Sequence, residues 1–380
     1  MADLSYPAYP AARASAPRVL AHLVRDFELA RRHGVTPIAP EPDTEAIGAI
    51  IDAAFWSSLR REEGRSPKIS LAFLPSNGTT QPLRFERSLP LSAAGLSKLA
   101  PAVERPGIHL GVWRDRGGEF RVWGTTDQLP ALCFVVEVVT SGLLIIKHRG
   151  ESFGKFVNVA VLEGEQIKFV PEMVDHEPEA PGLMASPLGI DLPPSLARTS
   201  HILVQLSASM RAHGRGGALI IVPGTNSTWD ESVVQPVLYA VTPAFTELSA
   251  LVRDEDGAGE EWQFDVRRAV DRLAGLTAVD GAAVINEHYE LLAFGTKITR
   301  RRGSPQVERI LLTEAVEGSA RVPGAPYQLG GTRHFSAAQF VHDQQDSTVL
   351  VASQDGRFTV IRWSVPEQMV RAHRIEALLM

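Results

Sequence analysis

Two short runs hold the residues whose types and order could do chemistry. One is Asp280-Gly281-Ala282, and the other is Gly330-Gly331-Thr332-Arg333-His334-Phe335-Ser336. A glycine-led turn into a helix starting near Ser336 would offer backbone N–H groups and a positive helix end to an anion. Arg333 adds a forked, charge-assisted contact to phosphate oxygens. His334 donates to phosphate, or accepts if neutral. Asp280, at the head of a strand, would accept from a ribose hydroxyl or hold a divalent cation, which prefers oxygen ligands. Each run alone has an ordinary structural explanation, because DGA is common turn chemistry and an Arg-His pair usually sits in a solvated loop.

Other arrangements carry less. Asp280, His334 and Ser336 have the residue types of a hydrolase triad, but no GxSxG elbow accompanies them and His334 and Ser336 are nearly adjacent. His109, His148, His201 and His213 are scattered without zinc-ligand spacing. Cys133, the one cysteine, lies in the apolar run ALCFVVEVV and reads as a buried small hydrophobe. It allows no intramolecular disulfide, which points to a reducing compartment. The GESFGKF stretch has a Gly-Lys pair without the P-loop pattern. Arg300, Arg301 and Arg302 read as a solvated loop that, beside a nucleotide, could supply a cation missing elsewhere.

The elements that must position these runs belong to a chain of 380 residues, enough for two domains. A hydrophobic fraction of 44% and a charged fraction of 22% are those of an ordinary globular protein. The net charge of −6 argues against general nucleic-acid binding while leaving room for a local basic pocket. No apolar leader and no membrane-length apolar run is seen, so the expected location is the cytoplasm, away from membranes.

Residues 1–17 read as a mobile arm and residues 18–171 as an α+β domain. It opens with two helices, VLAHLVRDFELARRHG and TEAIGAIIDAAFWSSLRREEG, ended by Gly34 and Gly64. Leu20, Leu23, Val24, Phe27 and Leu29 fall near one face of the first. Short strands follow, among them a GVWRDRGGEFRVW hairpin, giving a mostly antiparallel β unit. Residues 172–194, rich in Pro and acidic residues, read as a linker. Residues 195–380 alternate helix and strand. SLARTSHILVQLSASMRAHG is a helix, GGALIIVP a buried strand, and TNSTWDESVVQPVLYAVTPAFTELSALV a loop with short helices. FDVRRAVDRLAGL is a helix. VDGAAVIN pairs with YELLAFGTKI, and TVLVASQ with RFTVIRW. The fold class is α/β, a C-terminal mixed sheet flanked by helices after a β-rich α+β domain. FRVWGTT at 120–126 echoes LLAFGTK at 291–297, a hint that the two halves are remote relatives.

Taken in order, GGALIIVP, VDGAAVI, LLAFG, GGTRHFSAA and STVLVASQDGRFTVI resemble the diadenylate cyclase domain of DisA-type proteins over roughly residues 195–365. The resemblance implies a central mixed sheet. It puts Asp280, Gly281 and Ala282 on the ribose and metal side of a nucleotide, and Gly331, Thr332, Arg333 and His334 at its phosphates, with Ser353 in the same set. It also implies Mg2+ or Mn2+ with the nucleotide, Asp280 being the metal residue, and a homodimer. The departures are specific. Phe335 stands where the family has an arginine, and Gln354-Asp355 where an acidic pair is expected after Ser353. Cyclisation needs positive charge and metal where charge develops, so these losses hurt it more than binding. The chain further resembles the DACNV-type sensor family of bacterial signalling and conflict systems, notably from FWSSLRREEGRSPKISLAFLP to AVERPGIHLGVW. The expected function is a sensor of an ATP-like nucleotide or cyclic dinucleotide with little or no catalysis. The alternatives are an active cyclase making cyclic di-AMP from two ATP, and a non-catalytic partner-binding scaffold.

Overall fold

The computed structural model describes residues 7–61, 67–105, 107–150, 156–171, 192, 196, 199–224, 228–254 and 259–379. The chain divides into two compact units, residues 1–170 and 171–380. The expected linker at 172–194 lies, except for Leu192, outside the described residues, as does the expected stop of the second helix at Gly64.

The first unit contains α1 (Pro10–Arg32), α2 (Thr44–Ser58), β1 (Ile69–Phe73), β2 (Leu83–Pro90), α3 (Ala93–Val103), β3 (His109–Arg114), β4 (Phe120–Thr126), β5 (Phe134–Thr140), β6 (Leu143–Arg149), β7 (Phe156–Glu163) and β8 (Gln166–Phe169). Its sheet order is β2-β4-β3-β1-β5-β6-β7-β8. Among the described strand pairs of this sheet, only β1 and β3 run parallel. Val19, Leu23, Phe27 and Ala30 form a buried stripe at helical spacing on α1, which shares a core with Ile47, Ile50, Ile51 and Ala54 of α2. Leu29 falls off that stripe and is exposed. Asp43 caps α2 by accepting from the Ala46 N–H at 2.7 Å.

The mobile arm expected over residues 1–17 is corrected for residues 10–17, which are the first turns of α1. The alanine-rich run is a strong helix former, and Pro10 occupies the first turn, where its missing N–H costs nothing. Tyr9 anchors the start, stacked on Phe55 at 3.6 Å and donating its N–H to Asp52 at 2.6 Å. Helix α3 was not expected from the sequence; Ser92 caps it through the Gly95 N–H at 3.2 Å.

The second unit contains α4 (Ser200–Ala212), β9 (Gly217–Val222), β10 (Tyr239–Phe245), α5 (Glu247–Arg253), α6 (Glu260–Leu276), β11 (Ala282–Asn286), β12 (Leu291–Thr296), β13 (Ile310–Glu314), β14 (Val322–Gly324), α7 (Thr332–Asp343), β15 (Thr348–Ala352), β16 (Phe358–Ser364), β17 (Met369–Arg374) and α8 (Glu376–Leu379). The sheet order is β10-β12-β11-β9-β15-β16-β17-β13-β14. It is mixed: β9–β11 and β13–β17 run parallel. Every residue of β9 is buried, which explains its unbroken apolar run. One sheet face packs on α4 and α6 through Leu219, Ala283, Leu350 and Val360. The other packs on α7 through Ile220, Val284, Val349 and Ile361.

Seven strands repeat one order. In the first sheet β2-β4-β3-β1-β5-β6-β7 run in the sequence that β10-β12-β11-β9-β15-β16-β17 run in the second. The parallel pair sits at the same place in each, between β1 and β3 and between β9 and β11. The two echoing segments, FRVWGTT and LLAFGT, are the matching strands β4 and β12. What differs is the next connection. The first unit passes from β4 to β5 through residues 127–133, while the second inserts residues 297–347, carrying β13, β14 and α7.

Candidate functional site

The motif strands β9, β11 and β15 are neighbours, so the start of β9 and of β11 and the end of β15 lie along one edge of the sheet. Helix α7 packs on β9 and β15 and on the neighbouring β16 and β17. A cavity of about 500 Å³ opens there, within the range of small-ligand sites. Ala218, Ala282 and Ala352 at the strand ends contribute small side chains to it. Asp280 and Gly281 come from the turn before β11, and Thr296, Lys297 and Ile298 from the end of β12. Gly331, Thr332, Arg333, His334 and Ser336 come from α7, and Ser353 and Gln354 from the turn after β15. Thus Asp280, Gly281, Ala282, Gly331, Thr332, Arg333, His334 and Ser353 all border one space, although about fifty residues separate the first run from the second.

The local structure follows from the sequence. Gly281 has φ +126°, and a Cβ there would lie 2.5 Å from the Gly295 carbonyl carbon, so only glycine lets β11 start beside β12. Helix α7 starts at Thr332, four residues before the expected start near Ser336. Thr332, Arg333 and His334 are therefore its first turn, not the loop before it. Gly331 is the N-cap, in extended conformation and with no capping side chain. The first-turn N–H groups of Thr332 and Arg333 have no intrahelical acceptor.

Charge is distributed unevenly. Arg333 reaches over the start of β9, where a Cβ on Gly216 would lie 2.8 Å from its Nη1. No carboxylate pairs with it among the described residues. Asp280 is 91% exposed and accepts from Lys297 Nζ at 2.6 Å. The Lys297 hydrogen bond and charge hold the Asp280 carboxyl below its usual range. Burial pushes the His334 imidazole down, the positive Arg374, Arg357 and Arg333 adding to this against Asp355. His334 Nε2 faces Thr359 Oγ1 at 3.4 Å. Gln354 donates its amide to the Arg215 carbonyl at 3.3 Å.

The structure agrees with the argument against a triad and removes two compensations for the lost charges. Ser336 donates to the Arg333 carbonyl at 3.1 Å, and His334 faces Thr359, so no triad with Asp280 forms. Asp355 does not replace the missing carboxylate: its Oδ1 accepts from the Arg357 N–H at 3.2 Å within its own turn. The three arginines do not replace the missing cation. None lines the cavity, and Arg301 pairs with Glu231 at 2.7 Å while its N–H donates to Asp343, the last residue of α7 and so at the far end from the cavity. Lys297 was missed. Its signal was the pairing of Ala282 with Thr296, which carries the residue after Thr296 to the turn that holds Asp280.

A divalent cation fits these residues poorly. Asp280 is the one carboxylate among the lining residues, and it is already paired with a lysine. Among the described residues no group of three or more His, Cys, Asp and Glu could hold a metal. No helix among them is long and apolar enough to cross a membrane.

The first sheet has a polar contact across its own parallel pair, between β1 and β3. Ser70 and His109 are buried and bonded to each other at 2.7 Å.

Residues 36–127, in the first unit, match the sequence profile of the probable sensor domain DACNV. No curated protein matches the chain. Among solved structures, one described as a hypothetical membrane spanning protein from Bacillus cereus is 14% identical, with a TM-score of 0.26. The match covers 47% of this chain and 63% of that one, so it spans less than two thirds of that protein.

Proposed function

We propose that residues 171–380 carry a nucleotide-sensing site of diadenylate-cyclase descent whose cyclising chemistry is weak or lost. The observation that carries this is the meeting of Asp280–Ala282, Gly331–His334 and Ser353 around one cavity. An arginine without a carboxylate partner among the described residues and an uncapped helix start suit a phosphate. Alanines at the strand ends leave space for the rest of a nucleotide.

The same geometry supports sensing over catalysis. Joining nucleotides by attack of a 3′-hydroxyl on an α-phosphate concentrates negative charge at phosphorus, and preorganised positive charge must meet it. Phe335 is not among the lining residues, Gln354 offers a neutral amide, and Asp280 is engaged by Lys297. The DACNV match adds a probable sensor domain to the same chain.

The test is incubation of the protein with ATP, AMP or cyclic di-AMP, each with and without Mn2+ or Mg2+, read by mass spectrometry for bound nucleotide and for product, beside Arg333→Ala. Retained, unreacted nucleotide that is lost in the variant is the expected result. A cyclic dinucleotide product that disappears in the variant would make the site a cyclase and overturn the proposal.

A further inference from the structure

We infer that Lys297 is the cavity's second phosphate-binding cation and Asp280 its resident counter-ion, so that the ligand is a nucleotide phosphate of low charge bound without a divalent cation. This rests on the nucleotide reading above.

Three observations lead here. First, two cations reach the cavity from different elements. Arg333 comes from α7 and lies over Gly216, while Lys297 follows the last residue of β12. A phosphate in the cavity meets both charges.

Second, Asp280 is spoken for. Its 2.6 Å bond to Lys297 places it as that lysine's partner, and it is 91% exposed at the mouth. An incoming phosphate competes with Asp280 for the ammonium group. Exposed pairs of this kind are weak and easily exchanged.

Third, the charges sum to a modest value. Lys297 and Arg333 against Asp280 leave one net positive charge among the lining side chains. The α7 start adds roughly half a charge. A phosphate monoester carries about −1.5 to −2 at neutral pH, and a phosphodiester about −1. Either matches. A triphosphate carries roughly twice the monoester's charge and relies on a metal that these donors suit poorly.

The experiment is calorimetric titration of the full chain with AMP, cyclic di-AMP and ATP, each in EDTA and in Mg2+. It uses the wild type, Asp280→Asn, Lys297→Ala, the double variant and Arg333→Ala. Asp280 is exposed, so its amide variant leaves the fold intact. The expected result is that Asp280→Asn tightens AMP or cyclic di-AMP by about three- to tenfold. Lys297→Ala weakens it by roughly tenfold, and Asp280→Asn tightens binding less in the Lys297→Ala background than in the wild type, because Lys297 is the main partner of Asp280 while Arg333 also feels its charge. Mg2+ changes none of these values. Whether AMP or cyclic di-AMP binds tighter tells monoester from diester. An Asp280→Asn variant that binds more weakly, or binding abolished by EDTA, overturns the inference while leaving the nucleotide reading in place. A wild type that binds none of the three probes overturns both.

Discussion

Replacing Gly331 with aspartate separates a binding loop from an inherited one, because stability and affinity then move in opposite directions. Gly331 is the N-cap of α7, with φ −75° and ψ −168°, and no capping side chain. A Cβ there meets nothing within 4 Å, so the substitution carries no steric cost. Aspartate is among the strongest N-caps, better than glycine by a few tenths of a kcal/mol. Its charge adds about 0.3–1 kcal/mol against the helix dipole, less where solvent screens it. The sum is a gain of about 0.5–1.5 kcal/mol. At roughly 2–4 °C per kcal/mol for a unit of this size, the unfolding transition of residues 171–380 rises by about 1–6 °C. The carboxylate uses the N–H groups that a phosphate would use and adds a like charge beside it. Nucleotide affinity should therefore fall by about tenfold or more, equivalent to roughly 1.4 kcal/mol. Differential scanning calorimetry and isothermal titration give the two readings. A variant that is stabilised yet binds as before would show that the α7 start holds no anion, and one that is destabilised would refute the cap geometry itself.

The remaining expectations concern the scaffold. Gly281→Ala forces a Cβ into 2.5–2.8 Å contacts with Gly295 and Thr296 at φ +126°. The strain and overpacking amount to roughly 2–4 kcal/mol, or about 4–16 °C in the second unit's melting transition, and a shift under about 2 °C would count against it. Acid should destabilise both units through buried histidines. Burial, with Lys147 and Arg149 nearby, lowers His109 to about 4, and burial with Arg371 lowers His373 to about 3. Both folded values lie below the unfolded value of about 6.5, so the unfolded chain binds more protons in that window. The stabilisation is complete above about pH 6.5 and is lost as pH falls toward 4 and 3, by up to about 1.4 kcal/mol per pH unit per histidine. Urea midpoints at pH 7 and pH 5 for wild type and His109→Gln check the first unit; equal pH slopes would dismiss the role of His109.

The sequence was most legible where one local rule governed. GALIIV reads as a buried strand because every residue is apolar, and GVWRDRGGEFRVW as a hairpin because its Gly-Gly turn allows φ +84° at Gly118. It was least legible where neighbours decide. Strand β10 passed for loop because of Pro243, yet it is an edge strand, the one place where a missing N–H is tolerated. Strands β13, β14 and β17 pair with one another or with β16, so their length and polarity were poor guides.

Lys297 shows the same limit at the site. Its residue type says little, and only the register of β11 on β12 brings it to Asp280. The two sheets carry this further. They repeat one seven-strand order, yet the first lacks the insertion that supplies α7. Strand order alone therefore makes no pocket. The cavity comes from three alanines too small to close it and from a helix start too bare to cap itself, and both are absences of side chain. A motif search looks for groups that are present, so it finds Asp280 and Arg333 but not the space between them.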